Sequence, residues 1–558
     1  MSVFSGRAAA EALCASFARL GAPVAFGLPG SPNQVLFQAL RASPTRLVVP
    51  THELAAAFMA GAFGRIDSRP GLLLTVPGPG FAYALPGLAE AWLDSAPLVH
   101  IVSAPATGTH LRLTHQGLDQ VALARPVTKA IFGVTAIEQI GAVLGAAWET
   151  ARSGEPGPVL LQLGAASAAS PPAAAPADLS GARAVWARLQ AARRPVLFIG
   201  QGCAGAASAL RAYVQRTGTP VFATASGRGI VPEDSPWALP YDTLRETTAA
   251  MNGFLAQADA ILVLGARLAH NGTAGFALQL PRERLLHVDA SPANLDAFYP
   301  ANLSAVADAA QFLAMPEAAT TPRSAWTNEE LAAWRASVGR AAFAGAEPRY
   351  GERPAAEFFA ALRRALPDEA LVVTDSGLHQ VLARRYFEVR SPHGLLLPTD
   401  LQAMGFGLPA AIAACLAAPE RPVVALLGDG GALMSALELA VAVRECLALT
   451  AVVFNDGYLN QIRLQQLADS GRSYGVTLPR LDFEALAAAV GARYALADEQ
   501  LECLGRCVRE RAVTLIEVPV SDGSALIAAA AKSRVRRLAA GALGPRWRSR
   551  VRGWLGRA

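Results

Sequence analysis

The sequence predicts an α/β protein built from three doubly wound parallel-sheet domains, and three observations carry that expectation. Short apolar runs alternate with amphipathic helical stretches in three separate segments, the pattern of βαβ units rather than of hairpins. The length of 558 residues suits about three domains at roughly 100–200 residues each. Hydrophobic residues make up 52% and charged residues 17% of the chain, enough for each domain to bury its own core.

The first segment, 1–165, places its strand candidates in PVAFGLPG, RLVVPTHE, GLLLTVPGPG, PLVHIVSA and PVLLQL. Residues 166–182, rich in Ala, Ser and Pro, read as a linker. The second segment, 183–330, opens on RRPVLFIGQG and continues through PVFATAS, AILVLGARL and RLLHVDASP. The third, 350–530, contains ALVVTDSG, PVVALLGDGG, LTAVVFNDG and VTLIEVPV. Sheets of this kind take ligands beyond the carboxyl ends of their strands, so residues at strand ends are the candidates for function.

Residues 531–558 form a basic tail with nine Lys and Arg and no acid. The other 40 basic residues stand against 44 acidic ones, a net charge of −4 where the whole chain has +5. The body is therefore not expected to bind nucleic acid. In the tail, Trp547, Val551, Trp554 and Leu555 fall at helical spacing among arginines. That pattern suits weak, salt-sensitive contact with an anionic membrane surface, or else a solvated tail. No apolar run reaches the ~18–20 residues of a membrane span, and the N-terminus lacks the pattern of a signal peptide. Six cysteines without CxxC spacing read as reduced thiols. A cytoplasmic location is expected.

The sharpest motif is Val423–Gly431, a buried strand ending in Gly428-Asp429-Gly430-Gly431. An amphipathic helix is expected over Ala436–Leu447, followed by a second strand, Thr450–Phe454, that ends at Asn455-Asp456-Gly457. In adjacent parallel strands the two ends lie side by side, so Asp429 and Asn455 point into one crevice. Mg²⁺ is a hard cation that takes oxygen ligands completed by phosphates. A carboxylate, an amide oxygen and a turn carbonyl supply three such ligands. Gly428, Gly430 and Gly431 let the backbone approach a phosphate.

This spacing resembles that of thiamine-diphosphate enzymes of the acetolactate synthase and benzoylformate decarboxylase group, whose cofactor motif is GDG followed after roughly 25–30 residues by Asn. The resemblance implies Asp429, Asn455 and the carbonyl of Gly457 as Mg²⁺ ligands, with Asp456 standing where many relatives carry a second Asn. It also implies that Glu53, in Thr51-His52-Glu53, hydrogen-bonds N1′ of the aminopyrimidine and so controls the proton that activates the cofactor. Gly78-Pro79-Gly80 and Gly87–Pro97 match the family's first-segment pattern. In Gln402–Ile412 the match makes Met404 the apolar wedge that bends the cofactor and the Gln402 carbonyl the acceptor for its 4′-amino group. In the family the glutamate and the metal site come from different subunits, so a homodimer or tetramer is implied.

On the substrate side, Gln116 stands where acetolactate synthase and benzaldehyde lyase carry Gln, placed to hydrogen-bond a bound intermediate. His115 replaces an apolar residue of the relatives. Ser31 matches the serine of benzoylformate decarboxylase, but the active-site His of that enzyme is absent near Val76, and His270 is a substitute or a surface residue. Gly265–Gly272 lacks the acidic-basic run of flavin-containing acetolactate synthases, so FAD is not expected. The resemblance implies an acetolactate-synthase-like carboligase or lyase acting on 2-oxo acids, with a simple 2-oxo acid decarboxylase as the alternative. Retention of Glu53, Asp429 and Asn455 argues against an inactive scaffold.

Overall fold

In a computed structural model, residues 6–105, 111–168, 176–243, 245–342, 349–350, 353–497 and 502–521 are described. The basic tail 531–558 lies outside them. Three sheets follow one another along the chain. The first contains β1 Val24–Gly27, β2 Arg46–Val48, β3 Gly71–Thr75, β4 Leu98–Ser103, β5 Ala130–Val134 and β6 Pro158–Leu163, in the order β2-β1-β3-β4-β6-β5. The second contains β7 Pro195–Ile199, β8 Val221–Ala223, β9 Ala260–Leu264, β10 Leu285–Asp289 and β11 Leu303–Val306, in the order β11-β10-β9-β7-β8. All strands of both sheets are parallel.

The third sheet contains β12 Arg349–Tyr350, β13 Arg353–Pro354, β14 Leu371–Thr374, β15 Leu395–Leu396, β16 Val423–Gly428, β17 Leu449–Asn455, β18 Arg493–Leu496 and β19 Thr514–Ser521. Its order is β13-β12-β19-β17-β16-β14-β15, with β18 also paired to β19. Only the pairs that involve the short strand β12 are antiparallel. The inner strands are buried along their length, because helices cover both faces; this is why they read as unbroken apolar runs.

In each sheet the chain leaves the first central strand toward one edge and returns on its other side. That reversal opens a crevice beyond the strand ends. It lies between β1 and β3 in the first sheet, β7 and β9 in the second, and β14 and β16 in the third.

The first and third units share one core. The helix Glu53–Asp67 is rich in Ala and buried nearly all round, because it lies between its own sheet and the buried helix Gly407–Ala417 of the third unit. A helix covered on every side has no need of a polar face. Phe58 and Phe406 meet edge to face across this seam, with ring centroids 5.5 Å apart. The second unit is tied on by Arg267, which donates to the Leu93 carbonyl and to Asp400 at 3.0 Å, and by Asn271, which donates to the Thr399 carbonyl at 2.7 Å.

One element differs from expectation. The helix after β16 begins at Asp429 itself and runs to Ser435, and a separate helix spans Glu438–Arg444. Gly428 is still extended, and Asp429 begins the helix with its carboxylate accepting the Gly430 N–H at 2.8 Å. An acid in the first turn offsets the positive end of the helix. Among the described residues, no helix is long and apolar enough to cross a membrane.

Candidate active site

β16 and β17 run parallel with Gly428 opposite Phe454, so the next residues, Asp429 and Asn455, stand side by side at the strand ends. Asp429 is buried, and its Oδ2 accepts the N–H groups of Gly457 at 2.6 Å and Asp456 at 3.2 Å. The two glycine-bearing turns are thereby fastened together through the carboxylate. Burial pushes the Asp429 carboxyl above the usual carboxylate range, against the pull of its backbone donors; a bound cation would reverse that push. The Gly457 carbonyl accepts the Leu478 N–H at 2.9 Å and keeps a second lone pair.

The orientation of Asn455 is set from β19. Its Nδ2 donates to Glu517 Oε1 at 2.8 Å, and Tyr494 Oη donates to Glu517 Oε2 at 2.8 Å. An ionised carboxylate only accepts hydrogen bonds. The amide nitrogen therefore faces Glu517, and Oδ1 is turned the other way.

β14 brings in a second group. Asp375, fully buried, accepts the N–H groups of Ser376 at 2.7 Å, Gly405 at 3.0 Å and Gly407 at 3.3 Å. Burial raises its carboxyl to about 7 despite those donors. The turn after Met404 is thus pinned to the end of β14, and the Met404 methyl lies 3.2 Å from where a Cβ on Gly430 would be. Gln402 adopts a left-handed backbone, φ 58°. His379 is buried against Gly428, its Nε2 has no partner among the described residues, and burial lowers its basicity to about 4.

The crevice of the first sheet gathers Glu53, Gly78, Gly80 and Gln116. Glu53 begins its helix beyond the end of β2, with four residues, 49–52, between them. It is half-buried, and among the described residues its carboxylate accepts no hydrogen bond. Its Oε1 lies 2.9 Å from the position a Cβ on Gly80 would take, and Gln116 lies 2.8 Å from that on Gly78. Gly78 has φ 69°, and its N–H donates to the buried Gln120 at 3.2 Å. Two residues before Glu53, the Thr51 N–H donates to Glu438 Oε1 at 2.9 Å. Glu438 is fully buried, with burial raising its pKa.

Comparison with known proteins agrees with this geometry. Residues 7–123 match the N-terminal thiamine pyrophosphate-binding domain of thiamine pyrophosphate enzymes, 182–315 their central domain and 375–518 their C-terminal thiamine pyrophosphate-binding domain. The chain is 32% identical to a probable 2-ketoarginine decarboxylase of Pseudomonas aeruginosa, with 91% of this chain and 93% of that protein covered. The chain belongs to the thiamine pyrophosphate enzymes. It is also 32% identical to the acetolactate synthase isozyme 3 large subunit of Escherichia coli, covering 88% of this chain and 89% of that one. Identity to the isozyme 1 large subunit is 29%, with 84% and 86% covered. The protein is accordingly a thiamine-diphosphate-dependent enzyme of the transferase and lyase type, similar to acetolactate synthase.

The residues present fit that cofactor. His379 packs its Cε1–Nδ1 edge against Gly428 at the foot of the Asp429 turn, and its buried Nε2 has no partner among the described residues. A Cβ on Gly430 would lie 2.8 Å from Leu459 and 3.2 Å from the Met404 methyl, so glycine is what lets the Asp429 turn lie this close to Met404. Asn455 Oδ1, faced away from Glu517, is an oxygen donor of the kind a hard cation takes.

Glu517, Asp375, His379, Glu438 and Gln120 were not singled out from sequence. Only the strand-end positions of Asp375 and, just beyond it, His379 gave a usable signal. Of the substrate-side candidates, Ser31 and His115 are exposed. His270 is exposed on the second unit, 3.2 Å from Asn271 Oδ1 and packed on Phe276. Residues 265–269, Asn271 and Gly272, but not His270, line a cavity of about 520 Å³ beyond the ends of β7 and β9, bordered also by Gly200–Gly202 and Asp289.

Proposed function

We propose that the protein is a Mg²⁺-requiring carboligase or lyase that decarboxylates a 2-oxo acid and couples the remaining acyl unit to a second carbonyl compound. The observation that carries this reading is the side-by-side placement of Asp429 and Asn455, with the Asn455 amide turned by Glu517. Asp429, Asn455 Oδ1 and the Gly457 carbonyl hold the cation, and Gly428, Gly430 and Gly431 admit the diphosphate. Met404 would pack against the bound cofactor, and the Gln402 carbonyl would accept from its 4′-amino group. Bound thiamine diphosphate supplies the nucleophilic carbon and electron sink that loss of CO₂ from a 2-oxo acid requires.

Glu53 holds and moves a proton at the aminopyrimidine. Its half-buried carboxylate, which accepts no hydrogen bond among the described residues and follows the Thr51 that Glu438 holds, suits that task. Gln116 orients the substrate oxygen beside Gly78, which lowers the entropic part of the barrier.

The two half-sites meet across a homodimer in this reading. Leu433, Met434 and Leu437, all exposed, border the Asp429 turn, and Tyr83, 63% exposed, lies one turn from Gly80. Apolar side chains grouped around a site on a single chain are what a subunit contact covers.

A second reading, simple decarboxylation to an aldehyde, is favoured by the similarity to the probable 2-ketoarginine decarboxylase. A panel of 2-oxo acids with product identification separates the two. A C–C coupled hydroxyketone or hydroxy acid supports carboligation, and an aldehyde alone supports decarboxylation. Failure to release CO₂ from any 2-oxo acid overturns both.

A further inference from the structure

The peptide plane between Gln402 and Ala403 is held from outside its own unit. The Ala403 N–H donates to Glu90 Oε2 at 3.1 Å. Glu90 is only 2% exposed and sits on the helix Pro79–Leu93 of the first unit. A trans peptide is planar, so its N–H and C=O point in opposite directions; fixing the Ala403 N–H fixes the direction of the Gln402 carbonyl. Gln402 is in the left-handed region, φ 58°, which a residue with a side chain adopts only when its surroundings hold it there.

Neighbouring contacts make that hold rigid. One helical turn beyond Glu90, Asp94 accepts the Thr399 N–H at 3.2 Å and pairs with Arg65 at 2.6 Å. Arg65 in turn donates to the Leu397 carbonyl at 2.9 Å. The first unit thus grips the segment before Met404 at Leu397, Thr399 and Ala403, while Asn271 of the second unit holds the Thr399 carbonyl. We propose that Glu90 is a positioning residue that aims the Gln402 carbonyl at the 4′-amino group of the cofactor. This rests on the reading of Gln402 as that group's acceptor. An N–H engaged by an acceptor also polarises its own peptide, which strengthens the carbonyl as an acceptor.

Burial, and then repulsion by Asp94, raise the Glu90 carboxyl to about 8, which favours its neutral form. Glutamine has the same shape and the same charge as that neutral acid. Glu90→Gln therefore keeps the contact to Ala403, whereas Glu90→Met keeps the bulk and removes the acceptor.

The test is calorimetric titration of wild type and both variants, at saturating Mg²⁺, with thiamine diphosphate and with its 4′-deamino analogue. The analogue keeps the diphosphate and both rings but lacks the amino group. The expected result is that Glu90→Met weakens thiamine diphosphate about tenfold, the value of one hydrogen bond, and leaves the analogue within about twofold. Glu90→Gln matches wild type for both ligands. Equal weakening of both ligands by Glu90→Met, no weakening of either, or a Glu90→Gln defect as large as that of Glu90→Met overturns the proposal. Wild type that binds both ligands equally removes the role of Gln402, and the proposal with it, without touching the metal site. If Glu90→Met does not fold, Glu90→Ala repeats the comparison.

Discussion

Replacing Glu517 with leucine removes the group that turns the Asn455 amide. In the wild type, Asn455 Nδ2 donates to Glu517 at 2.8 Å, and Tyr494 holds the other carboxylate oxygen at 2.8 Å. With leucine there, nothing holds the amide nitrogen away from the cation, and the cation alone must orient the amide. A hydrogen bond to a charged group is worth roughly 1.5–3 kcal/mol, and loss of an outer partner of a metal ligand costs about 10–100-fold in affinity. We therefore expect Glu517→Leu to weaken Mg²⁺ binding by about 10–100-fold. Glu517→Gln retains most of the affinity, because its carbonyl oxygen still accepts from Asn455. The assay is Mg²⁺ titration calorimetry in the presence of thiamine diphosphate, with melting temperature as the folding control. Unchanged Mg²⁺ affinity in a folded Glu517→Leu protein refutes the reasoning.

Asp429→Ala should lose Mg²⁺ and thiamine diphosphate together, because a diphosphate still needs its bridging cation; calorimetry that finds unchanged cofactor affinity removes Asp429 from the site. The purified protein should carry no flavin, which an absorbance spectrum checks; stoichiometric FAD would overturn that expectation and strengthen the acetolactate synthase reading. Full-length protein should co-sediment with anionic liposomes more than a version ending at residue 530, and less so at physiological salt than at low salt. Equal sedimentation of the two rules the tail out as an anchor.

The three-sheet architecture was legible because parallel strands covered on both faces read as apolar runs, and because each central run ends on glycines or an acid. The pairing of Asp429 with Asn455 was legible for the same reason: both end adjacent strands of one βαβ unit. The residues that hold those groups were not. Glu517 meets Asn455 from 62 positions away, and Glu90 meets Ala403 from 313 away, separations that no local pattern encodes. The helix Asp429–Ser435 was also missed: the apolar spacing marks a helix only from Ala436, whereas the glycines of the turn already begin one at Asp429. Ala-rich Leu54–Arg65 read as an ordinary helix following Glu53; that it is covered on both sides depends on the third unit's Gly407–Ala417 helix.

The central claim is that Glu53 of one subunit works with the Asp429–Asn455 site of the other. Mixing two inactive variants, Glu53→Gln and Asp429→Ala, under conditions that allow subunits to exchange tests it most directly. A heterodimer of the two has one site with both defects and one with neither. Random reassortment should therefore restore about a quarter of wild-type turnover from components that are each essentially inactive, as expected for a two-fold dimer with shared sites. A mixture that exchanges subunits yet stays inactive would contradict the account and put Glu53 and Asp429 to work within one chain.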